Sequence, residues 1–147
     1  MRHLVRATLV VLSMSMSFAV AARSDEAPFT EGSVVHMTFV RTRSGGDEKY
    51  MKFLDTTWKS LNEAAKKDGL ILSYRVLGAP ATNKDDWNLC LVVEYKNMAA
   101  MDGLEAKYRA LMEKQVGSME KAEEQAGKRE EIRDVLGEKL CRELILK

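Results

Sequence analysis

Two cysteines, two prolines, two histidines and two tryptophans are all that this chain of 147 residues holds of those types, and each scarcity closes off a class. Cys90 and Cys141 alone cannot build a disulfide-stapled scaffold, which needs several bridges. Nor can two cysteines and the histidine left once the N-terminal segment is set aside, His36, complete a four-ligand structural zinc site. Charge of one sign is missing too: 23 Lys and Arg stand against 22 Asp and Glu, a formal net charge of +1. With both signs interspersed, the chain has no electrostatic footprint for nucleic acid or an anionic membrane. No internal repeat, low-complexity tract or catalytic motif stands out.

Long apolar runs are absent except for one at the N-terminus. Arg2, His3 and Arg6 form a short positive region, and residues 7–20 are uncharged and mostly apolar. The run ends in Ala19-Val20-Ala21, small residues at the positions a signal peptidase reads, and Arg23-Ser24-Asp25-Glu26 is polar at once. That pattern predicts a cleaved secretory signal over residues 1–21, since a membrane span needs roughly 20 apolar residues. The expected location is the periplasm or the exterior, with no membrane attachment after cleavage. Neither cysteine lies near the cleavage site, so a lipid anchor is not expected. The 126 residues that remain, with 21 basic against 22 acidic side chains, suffice for one domain with a core and not for two.

Residues 22–32 (ARSDEAPFTEG) read as a disordered lead. Residues 33–42 (SVVHMTFVRT) are rich in β-branched and aromatic types and end at Ser44-Gly45-Gly46, the signature of a strand. Over residues 47–67, Tyr50, Phe53, Leu54, Trp58, Leu61 and Ala65 recur at three- and four-residue steps, which predicts a helix with one apolar face. Ser44 and Asp47 have capping-box spacing, and Lys66, Lys67 and Gly69 supply the stop. Residues 70–78 and 87–95 are strand-like, joined by a loop containing Pro80 and Asn83 and long enough to drape over a neighbouring surface.

Asn97 is placed to cap a second helix with the stripe Met98, Met101, Leu104, Tyr108, Leu111 or Met112, and Val116. Gly117-Ser118 interrupts it, a charged helical stretch runs on to about Leu136, and Gly137 closes it. Residues 139–146 (KLCRELIL) read as the last strand. The charged stretch is most simply a solvated face, the methionines gap-filling core, and Trp58 and Trp87 packing residues.

The order β-α-β-β-α-β predicts an α+β fold of the ferredoxin-like kind, an antiparallel sheet with both helices on one face. Over residues 33–147, and most of all where an apolar strand runs into a capped helix at residues 87–101 (WNLCLVVEYKNMAAM), the chain resembles the dimeric α/β barrel superfamily. That resemblance implies two sheets packed face to face as a homodimer with the helices outside. The superfamily includes antibiotic-biosynthesis-type monooxygenases, haem-handling enzymes and stress-response barrels, so it implies architecture more than activity. Two functions follow as expectations. The first is a non-catalytic binding or structural dimer, without a cofactor or metal and with room for a small apolar ligand. The alternative is a cofactor-independent monooxygenase or haem-handling enzyme working in the barrel cavity.

Alternation along the first strand divides Val35, Met37 and Phe39 from Val34, His36, Thr38 and Val40. The all-apolar set is expected against the helices, which would turn His36 and Thr38 toward the barrel with Val92. There His36 would serve as general base or axial haem ligand, or simply as a hydrogen-bonded interface histidine. By the same alternation Ser73, Arg75, Asn88, Cys90, Glu94, Cys141 and Glu143 are expected beside it, with Arg75 paired to Glu94 or Glu143. His36, Thr38, Arg75, Asn88 and Glu94 are therefore the ligand-site candidates, as a cavity or as an interface network. In the ferredoxin-like order the first strand separates the strands of Cys90 and Cys141, so the two are not expected to bridge.

Overall fold

The computed structural model describes residues 27–147; the predicted signal and most of the predicted lead lie outside the described residues. A four-stranded antiparallel sheet is formed by β1 (Phe29–Thr42), β2 (Ser73–Gly78), β3 (Leu89–Tyr95) and β4 (Arg133–Leu146), in the spatial order β2-β3-β1-β4. Between β1 and β2 lie α1 (Asp47–Phe53), a π-helical turn (Leu54–Trp58) and α2 (Lys59–Lys67); between β3 and β4 lie a 3-10 turn (Met98–Met101), α3 (Leu104–Val116) and α4 (Met119–Glu130). The fold is α+β, and among the described residues no helix is long and apolar enough to cross a membrane.

The apolar stripe of the first helical segment is buried as its spacing requires. Tyr50, Leu54 and Val40 form one cluster with Leu91, against which Phe53, Trp58, Val76, Leu89 and Ile132 pack. Ala65, Ile71, Val34, Tyr95 and Leu104 form a second, joined by Tyr74, Val93, Tyr108 and Leu111. Both clusters use one face of the sheet, the face of Val34 and Val40. Trp58 meets Tyr74 edge to face, with ring centroids 5.3 Å apart, so it belongs to the core as its place on the stripe predicts.

The helix boundaries depart from the pattern in two places. No side chain caps α1, whose N-cap is Gly46; Asp47, instead of closing a capping box with Ser44, accepts a hydrogen bond from the Thr42 hydroxyl. Asn97 does cap a helical turn, accepting from the amide of Ala100 at 3.0 Å, but that turn is a 3-10 segment that stops before α3 begins. Gly117, at φ 96°, closes α3, and Ser118 caps α4 by accepting from the amide of Lys121. The predicted single stripe is thus delivered by separate pieces.

β4 begins at Arg133, six residues before the predicted start, and α4 ends at Glu130. Residues 133–136 lack a strand's alternation, yet Arg133, Asp134 and Val135 pair with Thr42, Arg41 and Val40 of β1, and Leu136 is the extra residue at a register shift opposite Phe39 and Val40. Gly137 lies inside β4, opposite Phe39, and does not close a helix. β1 likewise starts at Phe29, because Phe29, Thr30 and Glu31 pair with Leu146, Ile145 and Leu144. The last residues of the predicted disordered lead are therefore ladder, held by a partner strand more than a hundred residues away in sequence. β2 and β3 are shorter than predicted, starting at Ser73 and Leu89.

Candidate functional site

The sheet face turned away from the helices is the candidate site. Regular pairing of β1 with β3 sets Val35 opposite Glu94, Met37 opposite Val92 and Phe39 opposite Cys90, and β2 adds Ser73, Arg75 and Leu77 beside the same three β3 residues. Directly opposed residues share a face. Val35, Met37 and Phe39 belong to neither core cluster, so this apolar row is not packed on the helices.

This reverses the expected orientation of β1. Both faces alternate as predicted, but Val34, His36, Thr38 and Val40 turn toward the helices, and the all-apolar set faces out. The physical reason is that Val34 and Val40, each 0% exposed, anchor the two core clusters. His36 and Thr38 lie between them on the strand, belong to neither cluster and are half-buried. Glu138 reaches across from β4 to meet them: its carboxylate lies 3.5 Å from His36 Nε2 and accepts a 3.3 Å hydrogen bond from the Thr38 hydroxyl. A polar pair on the covered face is therefore satisfied by an edge-strand carboxylate.

The five sequence candidates consequently divide among three places. His36 and Thr38 lie on the helix side with Glu138. Arg75 and Glu94 lie on the uncovered face with Ser73, Cys90 and, across β1, Cys141, which is opposite Val35. Asn88 belongs to neither: it ties the end of β1 to the start of α1 and β3. Its carbonyl accepts the Thr42 amide at 3.0 Å, its amide donates to the Thr42 hydroxyl at 2.5 Å and to Asp47 at 3.3 Å, and its backbone N–H donates to Val40. All of its groups are occupied in joining elements.

On the uncovered face Glu94 accepts a 2.7 Å hydrogen bond from the Ser73 hydroxyl. That bond, then the Ser33 hydroxyl and more weakly the charge of Arg75, hold its carboxyl below the usual carboxylate range against the opposing effect of burial. Its hydrogen-bond partner is serine where the pattern suggested Arg75. Glu143 has the Ser33 hydroxyl at 3.4 Å. Cys90 and Val92 are buried beneath larger cross-strand neighbours, and burial pushes the Cys90 thiol up; Cys141 is exposed, and both cysteines are free. β1 lies between their strands, as expected.

Trp87 closes one end of this face. Its ring lies 5.7 Å from that of Phe39, and both line a shallow cleft of about 370 Å³ with Leu136, Gly137 and Lys139. The loop between β2 and β3 does drape over a neighbour, bringing Asp85 to the same cleft. The residues that define the site, Val35, Met37 and Phe39 on β1 and Leu77 on β2, are not among the sequence candidates, although the unbroken apolar alternation of the three on β1 is the signal that points to them.

A haem reading depends on a histidine on this face. His36 is on the other side, and the uncovered face carries no histidine among the described residues, so the residues present do not fit that group as proposed from sequence. No group of three or more His, Cys, Asp or Glu side chains arranged to hold a metal ion occurs among the described residues. No family model matches the chain, and no curated protein and no solved structure matches it either.

Proposed function

We propose that this protein is an exported, non-catalytic homodimeric module, a ferredoxin-like sheet paired with a second copy into a barrel of the dimeric α/β type. The observation that carries the reading is the uncovered apolar face. A sheet whose outward row is Val35, Met37 and Phe39 on its central strand, with Leu77 42% exposed beside it, presents a contiguous apolar patch of the kind that marks an interface. A self-complementary patch is closed most simply by a twofold copy. The antiparallel order, with β1 and β3 central and all helices on one side, supports the same arrangement.

Binding is favoured over catalysis because the uncovered face offers hydrogen-bonded polar groups and no poised acid–base pair. Glu94 is engaged by Ser73, and the histidine that an enzymatic reading would use as base lies across the sheet. Any ligand enclosed between two such faces is small and apolar, with Arg75 and Glu94 as its polar contacts. Export rests on residues 1–21.

Light scattering of the mature chain at micromolar concentration tests the assembly. A dimer is expected, and Met37→Asp should convert it to a folded monomer by placing an unpaired carboxylate in apolar surroundings. A wild-type monomer overturns the reading. Intact mass of the exported protein tests the signal: loss of about 21 residues is expected, and a full-length mass in the membrane fraction would replace secretion with anchoring.

A further inference from the structure

We propose that the free edge of β4 is the seam of this assembly, pairing antiparallel with β4 of a second copy in a register centred on Leu140. The inference rests on the dimer reading above and specifies where its two sheets join. β4 is an outer strand of 14 residues hydrogen-bonded on one side only, to β1. Among the described residues, six of the ten exposed large apolar side chains lie on it: Val135, Leu136, Leu140, Leu144, Ile145 and Leu146. A long edge without proline, with leucines set between its charges, is a template for pairing with a chain of matching charge order. The opposite edge, β2, is six residues long and is followed at once by Ala79-Pro80, so the two edges are unequal and β4 is the one built to pair. The far end of the β1–β4 ribbon, Phe29–Glu31 with Leu144–Leu146, extends beyond β3, and a two-stranded extension of that kind is marginal without further cover.

The register follows from the order of charges and leucines. Leu140, opposite His36 on β1, is flanked at two residues on either side by Glu138 and Arg142, and all three share one face, opposite Thr38, His36 and Val34. Antiparallel pairing about Leu140 therefore sets Leu140 against the partner's Leu140 and Glu138 against the partner's Arg142, twice by symmetry. Leu136 and Val135 come alongside the partner's Leu144 and the partner's Ile145. Every exposed apolar residue from Val135 to Ile145 then meets another. Arg142, which already donates to Glu31, has a guanidinium fork able to take the second carboxylate. A shift to a register centred on Cys141 would put Arg142 against the partner's Leu140 and Glu138 against the partner's Leu144, leaving both charges beside leucine; in return it sets Lys139 against the partner's Glu143 and Leu136 against the partner's Leu146, and it leaves Val135 against the partner's Lys147.

Joined at this seam, the two sheets become one antiparallel surface with all helices on one side and the Met37 face on the other, able to curl so that the two Met37 faces meet while no β4 edge is left exposed.

Cysteine trapping separates the alternatives. In the register centred on Leu140, the two native Cys141 residues are two positions out of step, roughly 8 Å apart and beyond disulfide reach, whereas a cysteine at position 140 faces its own copy. Mild oxidation of mature L140C/C141S should give a covalent dimer, and the wild-type chain should not. Cross-linking through Cys141 with none through position 140 would overturn the register, and no cross-link from either in a sample that light scattering shows to be dimeric would overturn the seam while sparing the dimer. A monomer in light scattering removes the dimer reading and the seam together. As a second measure, Glu138→Arg and Arg142→Glu should each weaken dimerisation about tenfold or more and restore it when combined; additive weakening in the double variant would count against the seam.

Discussion

His36 and Met37 are consecutive on β1 and look out from opposite sides of the sheet. His36, paired with Val93, shares the helix-covered face with Val34 and Val40, while Met37, paired with Val92, stands in the row the helices leave bare. The polar residue is tucked beside the core and the apolar one is presented outward. That inversion is what an interface requires, since the outward row must be more apolar than solvent alone would select.

Acid should destabilise the protein through carboxylates that the fold holds in ionised form. Glu94 is lowered by the Ser73 hydroxyl and Asp134 by its hydrogen bonds to Arg43. A group whose folded pKa is depressed contributes stability above its unfolded value, and that stability is lost as pH falls through the folded pKa. The window therefore opens below the reference values of 4.5 for Glu94 and 3.8 for Asp134. Glu94→Gln should lower the urea midpoint at neutral pH, and the gap to wild type should close as the pH falls below that range. A constant gap would show that Glu94 acts through packing instead.

Alkali should act through tyrosine. Tyr50, Tyr95 and Tyr108 are raised chiefly by burial, and Tyr74 is raised to about 12 chiefly by donating to Glu63. These are all four tyrosines of the chain. A folded pKa above the unfolded 10.0 keeps the native state protonated where the unfolded chain ionises, so stability falls as pH rises past 10.0. Ultraviolet titration should find almost no phenolate in native protein at pH 10 and about half ionisation in urea. Native ionisation at the ordinary value would contradict the packing of Tyr50, Tyr95 and Tyr108.

Gly46→Ala should be among the costliest glycine substitutions. A methyl group there would lie 2.3 Å from the carbonyl oxygen of Ile132, where the β1–α1 turn crosses the α4–β4 turn and Arg43 donates to the same carbonyl at 2.9 Å. Backbone cannot yield as a flexible side chain does, and a loss of about 1–3 kcal/mol is expected from urea denaturation. The same substitution at Gly127, with open space around it, should stabilise α4 by up to about 1 kcal/mol.

Leu54→Ala removes a 3% exposed side chain from the cluster around Val40 and Tyr50. The expected cost is about 2–5 kcal/mol of folding stability, read as a shift in the urea midpoint. A change below 1 kcal/mol would mean that the π-helical turn carrying Leu54 collapses to fill the space.

Thiol labelling distinguishes the cysteines. Cys90 should react only on unfolding, and Cys141 should react in the native chain, more slowly at rising concentration under the proposed dimer, which covers its face. Unfolded, unreduced protein should show both thiols free, because β1 lies between their strands.

Much of this architecture was legible without coordinates. The stripe from Tyr50 to Ala65 and the stop at Gly69 are local patterns, because helical contacts repeat every three or four residues and the capping chemistry is adjacent in sequence. The strand types of β1 and β3 and their alternation are local too. What alternation cannot carry is its phase: Val35, Met37 and Phe39 match a buried face as well as Val34 and Val40 do, and the choice between them is made by helices arriving from elsewhere in the chain. The same holds for residues 29–31 and 133–135, which have no strand pattern of their own and are extended because the first set pairs with β4 and the second with β1. Asn88 was a sound choice as a hydrogen-bonding residue, but whether it faced a cavity or joined Thr42 to Asp47 depended on a contact 46 residues away. Periodicity is written residue by residue and so belongs to the sequence. Which side of a strand is inside depends on what packs against it, and that only the tertiary structure decides.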